Sequence, residues 1–163
     1  MTVQFKRIIR EKSIKINASK EDLFKVLCLV REREWLPKFS SEIVFTESRV
    51  TELDSVFFTN SNSQEKTVWI IPAYEKYNFI EMVYIQPNIK VATIKLSLSE
   101  ISNHKTKLKV KYIYTAISDF GNRELDTITE SNFYNNINSW EVCLNYYFKN
   151  KTLIPEDLLA IHH

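Results

Sequence analysis

The chain has 163 residues, of which 44% are hydrophobic and 26% charged, a balance of folded globular chains that excludes the low-hydrophobicity, high-charge regime of disordered ones. Net charge is +2, from 22 basic and 20 acidic residues, and no long run of like charge interrupts the mixture, so there is no electrostatic case for a nucleic-acid partner. A chain of this length hides roughly 70% of its unfolded surface on folding, and one domain over residues 1–163 is expected.

Lys6 to Ile16 reads as an opening strand, in which Ile14 and Ile16 alternate with Lys15. Ser19 followed by Asp22 resembles a helix N-cap, and Leu23, Phe24, Val26 and Leu27 recur at helical spacing to about Leu29. A second short helix is expected over Val30 to Leu36, closed by Pro37, which disfavours helical geometry in the residue before it. Six further strands then follow: Glu42 to Val50, Val56 to Thr59, Glu65 to Ala73, Asn78 to Ile85, Lys90 to Ile101 and Lys105 to Ile117. Their short connections predict an antiparallel meander.

Alternation is cleanest in the last two strands. Ala92, Ile94, Leu96 and Leu98 share one face of the first, and Leu108, Val110, Tyr112 and Tyr114 one face of the second. An apolar sheet face needs a cover. Asn122 to Lys149 is expected to supply it as one helix of roughly 42 Å, capped by Asn122. Leu125, Thr129, Phe133, Ile137 and Trp140 fall on one stripe of that helix, with Asn136 beside it. The expected fold class is therefore α+β: a curved antiparallel sheet of about seven strands, two short helices and a long C-terminal helix packed across the sheet.

This element order resembles that of the START-like superfamily, also called SRPBCC, helix-grip or Bet v 1-like. The segment from Ile14 through Asn17 and Ser19 to Phe24 looks like its opening strand and first helix, and Trp35-Leu36-Pro37 like the end of its second helix. Thr67 to Ile71, and Tyr112 to Ala116 with the following Gly121-Asn122, resemble its polyketide cyclase/dehydrase and lipid-transport branch. The resemblance implies a cavity for a hydrophobic small molecule or lipid, and it brings no catalytic signature.

Several chemistries lack their residues. Gly121 is the single glycine, whereas phosphate-binding loops and the dinucleotide fingerprint need several. No His-Glu-x-x-His or Cys-x-x-Cys occurs, so neither a metal nor another cofactor is expected. Cys28 and Cys143 read as buried free thiols. His104 falls on a hairpin, and His162 and His163 form a tail with no assigned role. Met1 to Lys15 has no apolar block of signal-peptide length, and no stretch approaches the ~18 apolar residues of a membrane span, so a cytoplasmic location is expected.

The candidate ligand-binding residues are those facing the cavity: Ile94, Leu96, Val110, Tyr112 and Tyr114 on the sheet, and Phe133, Ile137 and Trp140 on the helix. Thr129 and Asn136 interrupt the apolar stripe, where a polar side chain meets ligand or bonds its own helix. Trp69 belongs to the inner lining, and Trp35 is placed at the cavity mouth, where Arg31, Arg33 and Lys38 surround it with positive charge. Glu81 faces the cavity in one strand phase and solvent in the other, the latter if Ile80, Met82 and Tyr84 point inward. Hydrophobic-ligand binding is the leading expectation. A cyclase or dehydratase using Glu81, Tyr112, Tyr114 or Asn136 is the alternative, and an interaction module with a vestigial pocket, such as a homodimer, is a third.

Overall fold

Apolar side chains at every second position fix the sheet. The computed structural model describes residues 4–61 and 64–160, so His162 and His163 lie outside the described residues. The strands are β1 (Arg7–Ile16), β2 (Ser41–Phe45), β3 (Val56–Thr59), β4 (Thr67–Glu75), β5 (Phe79–Gln86), β6 (Lys90–Ser102) and β7 (Lys105–Ala116). They form one antiparallel sheet in the order β1-β7-β6-β5-β4-β3-β2, so the chain's first strand closes against its last. Register puts Met82, Ile94 and Tyr112 in one cross-strand row and Tyr84, Ala92 and Tyr114 in the next. Ile94, Leu96, Leu108 and Val110 are buried on that inner face, as the alternation requires.

Among the described residues four helices complete the architecture: α1 (Lys20–Val26), α2 (Asp119–Thr127), α3 (Glu130–Asn150) and α4 (Glu156–Ala160). Ser19 caps α1 as expected, its side chain accepting from the Asp22 N–H at 3.2 Å. The second short helix is smaller than expected, a 3-10 turn over Glu32–Glu34. The strand expected up to Val50 stops at Phe45. Beyond it the Glu52 carboxylate gathers the Ser48 and Thr46 hydroxyls and the Glu47 and Ser48 N–H groups, which folds the chain into a turn. Those bonds, from Ser48 first and then Thr46, hold the Glu52 pKa down at about 2.

The expected single C-terminal helix is two. Thr129 is not on the apolar stripe at all: it is the exposed N-cap of α3, its hydroxyl accepting from the Asn132 N–H at 3.1 Å. The Asn132 side chain donates to the Thr127 carbonyl at 2.9 Å, closing the end of α2. Three β-branched residues in a row, Thr127-Ile128-Thr129, weaken the helix where side-chain caps can replace its backbone bonds. Nor is Asn122 the cap of the first segment. Ser118 caps α2, accepting from the Gly121 N–H at 2.9 Å, while Asn122 accepts from the Lys6 N–H and ties β1 to α2. α3, at 21 residues, remains the long helix that covers the sheet.

Gly121 is required by a backbone approach. A Cβ there would lie 1.9 Å from the Ile89 carbonyl oxygen, so α2 can sit this close to the β5–β6 turn only without a side chain.

Candidate functional site

The site is built on the turn between α1 and β2. Backbone bonds from Arg31 and Glu32 to the Cys28 carbonyl, and from Trp35 and Leu36 to the Glu32 carbonyl, wind this segment tightly. Residues three and four apart therefore share a side, and Cys28, Glu32 and Trp35 are all buried. Arg31 and Glu34 pair with each other through two bonds of 2.9 and 2.8 Å. The Tyr147 hydroxyl of α3 donates to Glu34 at 2.8 Å, pinning the turn to the covering helix.

Two glutamates two positions apart thus meet opposite fates. The Arg31 guanidinium holds the Glu34 carboxyl below its usual pKa, against a smaller effect of burial. Glu32 is 4% exposed, and burial alone pushes its carboxyl up to about 8. Its carboxyl makes no hydrogen bond or ion pair with any described residue. Yet no side-chain nitrogen or oxygen among the described residues is sealed off without a partner, so the carboxyl opens onto accessible space.

That space is a cavity of about 310 Å³ between the sheet and α3, with Glu32 in its wall. Trp69, Ile94, Tyr112 and Trp140 supply much of the lining, with Leu36, Pro37, Lys38 and Phe39 from the loop after the turn. Its rings hold one another in place: Trp69 lies 4.8 Å from Tyr84, Tyr112 stacks on Tyr114 at 5.2 Å, and Phe133 meets Tyr112 edge-on at 5.5 Å. Such pairs contribute about 0.5–1.5 kcal/mol each beyond the area they bury. The Tyr112 phenol is pushed well above its ordinary pKa, first by burial and then by neighbouring Tyr114, Tyr84 and Glu32. Tyr84 and Tyr114 are raised for the same leading reason. All three phenols are therefore protonated donors at neutral pH.

Of the residues expected to meet ligand, Trp69, Ile94, Tyr112, Asn136 and Trp140 come together around this cavity, Asn136 as an exposed residue. Leu96, Val110, Phe133 and Ile137 are close-packed core beside it, and Tyr114 is buried behind Tyr112. Glu81 is on the outer face, opposite Lys95 in register and 3.6 Å from its ammonium, because Ile80 and Met82 take the inward phase. Trp35 does not gate the mouth. It is fully buried, donates its indole N–H to the Val26 carbonyl at 2.7 Å and packs edge-on against Trp140 at 5.6 Å.

Glu32 escaped the sequence reading. It sits in Arg31-Glu32-Arg33-Glu34, which looks like a solvated charge cluster. The signal was its spacing: four residues after Cys28, three before Trp35 and four before Leu36, all apolar.

A larger groove of about 610 Å³ runs along α3 toward Ile154 and Leu158. Two of its polar groups already bind structure: Glu141 accepts from the Lys15 N–H and Asn145 from the Asn17 N–H, each at 2.7 Å. Among the described residues no helix is long and apolar enough to cross a membrane, and no group of three or more His, Cys, Asp or Glu is placed to hold a metal ion.

No family model matches the chain, and no curated protein does. Solved structures do. The Zhui aromatase/cyclase from Streptomyces sp. R1128 is similar at a TM-score of 0.65 with 12% identity, over 91% of this chain and 100% of that one. Norcoclaurine synthase from Thalictrum flavum is similar at 0.64 with 9% identity, over 90% of this chain and 89% of that one. DynU16, from the dynemicin biosynthetic locus, is similar at 0.59 with 8% identity over 88% of this chain, which spans only 48% of DynU16. The chain has the helix-grip, Bet v 1-like fold of the START-like (SRPBCC) proteins.

Proposed function

We propose that the protein binds a hydrophobic small molecule in the cavity between the sheet and α3, with Glu32 as its polar anchor. One observation carries this reading: a buried carboxyl with no partner among the described residues opens into an aromatic-lined space. Leaving such a group unpaired costs about 1–3 kcal/mol or more. A bound molecule that satisfies it recovers that cost, while the surrounding rings supply apolar contact. A volume of about 310 Å³ suits a molecule of up to three rings better than a long-chain lipid.

The test is saturable binding of the neutral fluorescent dye N-phenylnaphthylamine. One dye per chain is expected, and Asn136→Trp, which plugs the mouth from an exposed position, is expected to weaken binding about tenfold or more without moving the urea midpoint. No saturable binding, or equal binding by the plugged variant, would sink the proposal.

A second reading is favoured by the Glu32 pKa of about 8: a carboxyl poised near neutrality beside the Tyr112 phenol can exchange a proton with a bound molecule. It replaces Glu81, which faces the wrong way, as the acid of a cyclase-like or dehydratase-like reaction.

A further inference from the structure

The ligand class can be narrowed, and the narrowing rests on the cavity-binding reading above. Glu32 is 4% exposed and has no counter-ion among the described residues. None of the cations near it pairs with it. Arg31 holds Glu34 at 2.8 Å, and Lys38, at the cavity mouth, pairs with Glu156 at 3.4 Å. Arg33 is exposed. The sheet and α3 present only uncharged polar groups to the cavity, the Tyr112 phenol and the Asn136 amide, with the Tyr84 and Tyr114 phenols in the next row of the same face.

A buried acid without a cation, walled by the rings of Trp69, Tyr112 and Trp140, is complementary to an organic cation. Such a ligand gains a charge-assisted hydrogen bond in a poorly screened site and attraction to ring faces. A ligand carboxylate would confront a second acid, and a neutral ligand forgoes both gains. We propose that the cavity selects molecules carrying a protonated amine on an aromatic or aliphatic skeleton, with Glu32 as the counter-ion.

Proton balance gives this proposal a distinctive mark. In the empty cavity burial holds the Glu32 pKa at about 8, so at pH 7 the carboxyl is mostly protonated. An arriving ammonium ion pairs with the carboxylate, and the carboxyl proton leaves to the buffer. No other bond forms or breaks. Binding at pH 7 is thus linked to the release of nearly one proton, and affinity rises with pH up to about 8.

The experiment is isothermal titration calorimetry with phenethylamine, its neutral N-acetyl derivative and the anion hydrocinnamate, each in phosphate and in Tris at pH 7. Phenethylamine is expected to bind at least about tenfold tighter than either analogue. It should release close to one proton and bind about tenfold tighter at pH 7 than at pH 6. Glu32→Gln, whose urea midpoint at pH 5 should match the native protein's, should abolish both the preference and the proton release. Equal affinity for amine and amide, binding without proton release, a preference that survives in Glu32→Gln, or no binding of any of the three compounds overturns the amine proposal. If the dye binds in those cases, the cavity reading stands and only the ligand class falls; if the dye also fails to bind the native protein, both fall.

Discussion

Replacing Glu32 with Gln is expected to stabilise the protein above pH 8 and to change little at pH 5. A carboxyl whose pKa is raised from 4.5 to about 8 on folding holds more protons in the folded state than in the unfolded one. The native protein therefore loses stability as pH rises through that window. At roughly 1.4 kcal/mol per pH unit the loss reaches on the order of 5 kcal/mol by pH 8 as a ceiling. Gln has nearly the same shape and no charge to desolvate, so the variant is spared the loss. Thermal unfolding of both proteins at pH 5, 6.5 and 8.5 reads the difference. The melting temperatures should coincide at pH 5 and separate by about 10 °C at pH 8.5. Parallel curves across the range would show that the Glu32 carboxyl is hydrated.

Trp35→Ala is expected to have the opposite sign and comparable size. The indole is fully buried, packs on Trp140, and its N–H is bonded to the Val26 carbonyl at the end of α1. Truncation removes the packing, opens a hole where α1, the 3-10 turn and α3 meet, and frees a carbonyl in the interior. Large-to-small changes of this kind cost about 3–5 kcal/mol, and the unpaired carbonyl adds to that. Urea unfolding at pH 6 measures it. Trp35→Phe, which keeps part of the volume but not the donor, should fall between the two. A midpoint within experimental error of the native protein's would place Trp35 at a solvent-accessible mouth instead.

The sheet was legible in the sequence because alternation is a local signal. Ile94, Leu96, Val110, Tyr112 and Tyr114 could be assigned to the inner face from β6 and β7 alone. The Ser19 cap was equally local. The helix break was not, since Thr129 fits both an apolar stripe and an N-cap. What decides between them is the pair of side-chain bonds made by Thr129 and Asn132. Glu81 failed as a site residue through phase: the register that turns Ile80 and Met82 inward sets Glu81 opposite Lys95. Glu32 was hidden for a different reason. Charge alternation in Arg31-Glu32-Arg33-Glu34 suggests water on every side, and only the tight turn shows that one of these residues shares a face with Cys28 and Trp35. A buried charge is a property of tertiary packing, which composition does not report.

The most direct test is the titration of the Glu32 carboxyl itself, followed by the chemical shift of its side-chain carboxyl carbon in the unliganded protein. A midpoint near 8, in line with the folded-state pKa, is the expected result, and the midpoint should fall when phenethylamine is added. A midpoint near 4.5, unmoved by ligand, would mean a solvated carboxylate and would contradict Glu32 as the buried anchor of the cavity.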